Sequence, residues 1–145
     1  MADISSNSQI IEAPSSEVAQ VLVDLESYPS WSSAIKSVEV LERDSANRPT
    51  KATVKIEAGV LKDRATLLYN YTLFPKSISF SLEEADLMTE MSVTYVIEDN
   101  GDDTTKVTYQ LNVQVSMPVP DMMRRKAEMA TIDAALAQLK KKIEG

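Results

Sequence analysis

The sequence predicts an α+β domain: a curved antiparallel sheet gripping one long helix, with room between the two. Three observations predict it. About six segments between residues 5 and 115 alternate apolar with polar residues, the period of strands with one buried and one wet face. Links of hairpin length separate them, which favours antiparallel neighbours. Residues 120–145 then read as a single amphipathic helix. Met122, Met129, Ile132, Leu136, Leu139 and Ile143 recur at steps of three and four or their sum, so they share one face.

Residues 5–12 form the first predicted strand, with Ile4, Ile10 and Ile11 as its apolar content. Pro14 opens a helix, since its missing N–H costs nothing in a first turn, with Ala13 or Ser15 near the cap. Val18, Val21, Leu22 and Leu25 follow at i, i+3, i+4 and i+7, one face of a short helix. Pro29 biases Tyr28 away from the helical region, so a bend is expected, then a second helical turn to about Ala34.

Strands follow in series. Residues 35–43 make one, ended by the polar stretch 44–49. In the next, Ala52, Val54, Ile56 and Ala58 face one way and Lys51, Thr53, Lys55 and Glu57 the other. Gly59 marks a turn. Val60 and Leu61 at its tip either fold over a cavity mouth, touch a membrane or partner, or form an ordinary exposed pair. Ala65, Leu67, Tyr69 and Tyr71 are the next inward set, with a turn at 74–77. Ile78, Phe80 and Leu82 continue. Strict alternation would turn Glu84 inward as well, where an apolar setting would raise its pKa; a strand ending there would leave it solvated. Met91, Val93, Tyr95 and Ile97 come next. Asn100-Gly101 signals a hairpin, and Val107, Tyr109, Leu111, Val113 and Val115 form the clearest strand. Pro118 and Pro120 break the sheet. Asp121 is placed to cap a helix about 36 Å long.

At 145 residues the whole chain, 1–145, is expected to be one ligand-binding domain. It holds no Cys and no His. Disulfides, thiolate metal sites, Cys nucleophiles, Ser–His–Asp triads and the usual zinc ligands are therefore excluded. Gly occurs only at 59, 101 and 145, so there is no phosphate-cradling loop. The acidic run 98–103 lacks the spacing and twelfth-position Glu of a calcium loop and reads as a solvated hairpin. No catalytic residue, metal ligand or cofactor is assigned.

Lys plus Arg is 15 and Asp plus Glu is 22, a net charge of −7. That argues against a nucleic-acid partner. Arg124-Arg125-Lys126 and residues 140–142 read as a solvated helix face, the latter suiting the helix dipole. The chain begins polar, and no apolar run approaches the ~18 residues of a membrane span. Stable membrane insertion is not expected, and a cytoplasmic location is.

The candidate site is the inward face. It assembles Tyr69, Tyr71, Phe80, Tyr95 and Tyr109 beside Met122, Met123 and Met129 of the helix. These residues are either a packed core or the lining of a cavity. Buried tyrosines need partners for their hydroxyls, and Met suits varied apolar guests. Trp31, the only Trp, either lids that cavity or plugs the core. A second helix arc, Met123, Ala127, Ala130, Ala134 and Ala137, either packs closely on a neighbour or raises helix propensity. Lys126, Asp133 and Lys140 lie between the arcs; Lys126 and Asp133 either orient a polar head at the cavity mouth or reach solvent.

Ala13-Pro14 before the first helix, Leu25 through Tyr28-Pro29-Ser30-Trp31, the strand Val38-Glu39-Val40-Leu41-Glu42, the segment Thr105-Lys106-Val107-Thr108-Tyr109 and the closing Leu139-Lys140-Lys141 carry a resemblance. The chain resembles the polyketide cyclase/dehydrase and lipid-transport group of the START-like superfamily (SRPBCC, with pollen-allergen relatives), which includes many small bacterial members. The resemblance implies a helix-grip fold. A seven-stranded curved antiparallel sheet wraps a long C-terminal helix, with two short helices between strands 1 and 2 and an apolar cavity. It implies a hydrophobic small-molecule ligand: a lipid, a polyketide or an isoprenoid-like molecule. Alternatives are a cyclase or dehydratase using a buried Tyr or Glu84, and a toxin-like module for an unspecified protein partner.

Overall fold

The computed structural model describes residues 4–58 and 61–145. Strand β1 (Ser5–Ile11) leads through Ala13-Pro14 into α1 (Ser15–Val23), a 3₁₀ turn (Leu25–Ser27) and α2 (Tyr28–Trp31). Six strands follow: β2 (Ile35–Arg43), β3 (Pro49–Ala58), β4 (Leu61–Asn70), β5 (Ser77–Ala85), β6 (Met88–Asp99) and β7 (Thr105–Val115). The chain closes with α3 (Asp121–Glu144). The sheet order is β1-β7-β6-β5-β4-β3-β2, antiparallel throughout. Consecutive strands pair except at β1, which the two short helices carry away from β2 and which pairs with β7. This is the expected helix-grip architecture.

The alternation in the sequence sets which face is buried. Ala52, Val54, Ala65, Leu67, Ile78, Val93, Tyr95, Val107, Tyr109 and Leu111 are buried on the inner side. On the outer side, Thr53 and Thr66 pair across the strands, their hydroxyls 3.2 Å apart. Helix α3 lies against β1 and β7 and meets α1 and α2. It buries Ile132, Leu136 and Leu139, each contributing about 1.5–3 kcal/mol through removal from water. Burial along the stripe starts at Glu128, not at Met122. The Ala arc points to solvent and raises helix propensity rather than packing.

β1 departs from its expected apolar character. Ile11 is buried, but Ile4 and Ile10 are exposed, because the residues that face α3 are polar. The Asn7 amide donates to Asp133 at 2.8 Å, Lys140 Nζ donates to the Ile10 carbonyl at 2.8 Å, and the Glu12 N–H donates to Glu144 at 2.9 Å. Helix side chains thus satisfy backbone groups at the end of a sheet-edge strand that would otherwise be open to another chain. Asp133 and Lys140 are committed to β1, so Asp133 does not serve a cavity mouth.

One local expectation is corrected, and the solvated reading of Glu84 holds for a different reason. Tyr28 is helical (φ −52, ψ −42), because Pro29 sits in the first turn of α2, where its missing N–H is not needed. β5 carries a bulge: Thr66 pairs with Glu84 while Leu67 pairs with Leu82, leaving Glu83 as the extra residue. The phase of alternation flips there, so Glu84 is exposed, and Glu83 reaches Lys51 at 3.2 Å. Gly59, Val60 and the Leu61 side chain lie outside the described residues.

Candidate ligand-binding face

The inner face carries two rows of cross-strand neighbours. Tyr69 opposes Phe80, which opposes Val93, which opposes Leu111. One step along, Ile78 opposes Tyr95, which opposes Tyr109. Tyr69 and Phe80 stack with ring centroids 4.8 Å apart, and Tyr95 meets Tyr109 edge-on at 4.6 Å. Adjacent strands align these rings because paired residues on one face sit about 5 Å apart.

The buried core divides into two clusters. The larger lies under the helices and contains Tyr95, Tyr109, Leu111, Ile132, Leu136 and Leu139. The smaller, on β3, β4 and the start of β6, contains Val54, Ile56, Ala65, Leu67 and Met88. Tyr69, Phe80, Met91 and Val113 border both clusters and remain only partly buried. Met129 packs on the larger cluster, and Leu82 and Val115 on the smaller, also partly exposed. Apolar side chains therefore stay accessible on the concave side, because α3 covers β1 and β7 rather than the middle of the sheet.

Tyr95 and Tyr109 belong to the larger cluster, and Tyr69, Phe80, Met129 and Trp31 border it. Tyr71 touches its margin beyond the end of β4, where its hydroxyl donates to the Pro49 carbonyl and the Arg48 guanidinium lies 4.8 Å above its ring. Met122 and Met123, 84% and 63% exposed, are not brought to the tyrosines. They lie on the first turn of α3, before its burial starts. Trp31 packs beside Tyr28, with ring centroids 4.7 Å apart, and is neither a free lid nor a fully buried plug.

Burial pushes the phenols of Tyr28, Tyr69, Tyr95 and Tyr109 well above their ordinary pKa. The interaction between Tyr95 and Tyr109 holds the proton more firmly on Tyr95 and eases its loss from Tyr109. Burial also pushes Tyr71, at the margin, up to about 12. At neutral pH these groups are hydrogen-bond donors, not bases.

Two buried carboxylates were not visible as such in the sequence. Glu128, 3% exposed, accepts from Ser5 Oγ at 2.7 Å, from the Val113 N–H at 2.7 Å and from Arg124 at 2.9 Å. It caps β7 just past the point where β1 pairing ends at Leu111. Asp63 accepts from the N–H groups of Asp86, Leu87 and Met88 at 2.9–3.1 Å and so shapes the β5–β6 turn. The signals were present: Arg124 and Glu128 form an i,i+4 pair one turn before Ile132, and Asp63 falls in phase with Ala65 and Leu67.

Outside this face, a groove of about 690 Å³ runs between α1 and the β2–β3 and β4–β5 links, bordered by Gln20, Glu26, Arg43, Arg48 and Phe74. Its cations are already paired: Arg43 with Glu26, and Arg48 with Asp44 at 2.9 Å. No helix among the described residues is long and apolar enough to cross a membrane.

The family model for polyketide cyclase/dehydrase and lipid transport matches residues 11–140. No curated protein matches the sequence. Among solved structures, a START superfamily protein from Mycobacterium smegmatis superposes with a TM-score of 0.92 at 24% identity, over 97% of each chain. An aromatase/cyclase from a Streptomyces species superposes at 0.77 with 15% identity, over 98% of this chain and 93% of its own. A major latex-like protein from Panax ginseng superposes at 0.74 with 10% identity, over 99% and 98%. At these identities the likeness is one of fold.

Proposed function

Because this chain belongs to the polyketide cyclase/dehydrase and lipid-transport family, we propose that it binds or carries a hydrophobic small molecule between the sheet and α3. The observation that carries this reading is the seam between the two core clusters. Tyr69, Phe80, Met91 and Val113 face inward, are apolar or aromatic, and are left partly exposed. Covering them with a ligand gains about 25 cal/mol per Å² of apolar surface removed from water. Met91 and Met129 adapt to guests of different shape, and the ring pairs supply flat surfaces. A lipid, a polyketide or an isoprenoid-like molecule fits this description.

Binding is favoured over proton-transfer catalysis by two features. Glu84, the carboxylate considered as an acid or base, lies exposed on the far side of the β5 bulge. The inward phenols hold their protons far above neutral pH. Native mass spectrometry of gently purified protein tests the proposal, followed by addition of fatty acids, quinones and aromatic polyketides. A retained or added small-molecule mass, with a change in Trp31 emission, is expected. Only the unliganded mass with every class, and unchanged emission, would contradict it.

A further inference from the structure

Among the described residues, five of the ten large apolar side chains left exposed lie together at one end of the molecule: Leu87, Met117, Val119, Met122 and Met123. Leu87 sits in the β5–β6 turn, and its carbonyl accepts the Ser116 N–H at 3.1 Å, so the turn adjoins the segment that leads into α3. Met117, Met122 and Met123 are 66%, 84% and 63% exposed. Single exposed apolar residues need no explanation, but a contiguous group marks a surface that meets something. The local sequence holds this group out. Pro118 and Pro120 keep residues 116–120 out of both sheet and helix, and that segment carries no charge. The first turn of α3 comes before the helix begins its burial at Glu128.

Shape and charge favour one kind of partner. None of the five residues lines either described groove, so this end presents an exposed tip and offers no cleft to a peptide. A bilayer accepts a tip, and the unbranched Met side chain adapts to it. Arg125 and Lys126 are exposed three and four residues after Met122, the spacing that sets helix side chains next to one another. Their long stems can lie along apolar surface while the charge stays at headgroup level. Arg124 turns to the buried Glu128 and also answers Asp121 at 4.0 Å. The β5–β6 turn adds the exposed Asp86, whereas Glu90 turns to Asn112 on the convex face. The tip is thus close to neutral in a chain of net −7, with its cations gathered beside the methionines. Screening within about 8 Å makes these local charges count over distant ones. A second copy docked tip to tip would set Arg125 and Lys126 against their own kind, which disfavours self-association there.

We propose that this tip docks the protein peripherally on an anionic lipid bilayer. Leu87, Met117, Val119, Met122 and Met123 enter the boundary between headgroups and acyl chains, and Arg125 and Lys126 meet anionic headgroups. The docking needs no spanning segment, in keeping with the helices among the described residues. The proposal goes beyond the binding reading and stands apart from it, because the tip lies outside the partly covered seam.

Flotation with vesicles of phosphatidylcholine, alone and mixed with phosphatidylglycerol, tests it. The unmodified protein is expected to float with the mixed vesicles and less with phosphatidylcholine alone, and high salt should remove the difference. Met122→Ser combined with Met123→Ser changes two side chains that the fold leaves exposed, so the variant should fold normally and partition about tenfold more weakly onto the mixed vesicles. Lys126→Glu should weaken that partition about fivefold per unit of charge. Leu73→Ser, equally exposed but in the β4–β5 link at the opposite end of the sheet, should leave it unchanged. No flotation of the unmodified protein with mixed vesicles would overturn the proposal. So would a double Ser variant that floats as well as the unmodified protein, or a dimer in solution that this variant dissociates. Retention of a small molecule without flotation would strike this proposal and leave the binding reading, and flotation with no ligand ever bound would do the reverse.

Discussion

All five tyrosines have phenols raised above 10 by burial, Tyr71 to about 12 and the other four further. In the unfolded chain each would ionise near 10. Between that value and the folded value the unfolded state binds fewer protons than the native one, so stability falls as pH rises. The stabilisation is whole below pH 10 and is lost as pH climbs through the folded values. Tyrosinate absorbance should therefore appear together with the loss of far-ultraviolet dichroism, with no free titration near pH 10 while the fold persists. Normal titration of most tyrosines in folded protein would contradict the buried placement. The inward phase of four of them was legible in the alternation, since Tyr69, Tyr95 and Tyr109 kept it and Tyr71 kept it to the end of its strand. Tyr28 was not legible as one of the group, because its approach comes from α2 and not from the sheet.

At the scale of elements, α3 is fastened as much by polar contacts as by its apolar stripe. Arg124 is 12% exposed and Glu128 3% exposed, and the pair joins the helix to Ser5 of β1 and to the free N–H of Val113. Breaking such a pair from one side costs about 3–5 kcal/mol, because a buried charge loses its partner. Glu128→Ala is expected to lower the urea unfolding midpoint accordingly, whereas Met122→Ser at an exposed position should change stability by about 0.5 kcal/mol or less. Comparable losses in both variants would place the first turn of α3 inside the core. The sequence pattern gave the helix its length and the positions Ile132, Leu136 and Leu139. It overextended the stripe to Met122, because periodicity does not say where the packing partner ends. It also missed the β5 bulge, because one inserted residue leaves no compositional mark beside Glu83 and Glu84.

For the whole molecule, strand order, antiparallel pairing and the closing helix follow from short links and alternating faces, so the fold could be read before any coordinates. The division of the core into two clusters could not. It depends on which part of the sheet α3 covers, and that is set by long-range polar contacts to β1: Asn7 with Asp133, Ile10 with Lys140 and Ser5 with Glu128. These contacts draw the helix toward one edge and leave the middle of the concave face partly uncovered. That uncovered seam is the central claim. Intermolecular nuclear Overhauser effects from bound 2-methylnaphthalene test it most directly. Contacts to Phe80, Met91, Val113 and Met129 are the predicted result. Contacts confined to the exposed Met122 and Met123 or to Leu68 on the convex face, or none at saturation, would contradict it.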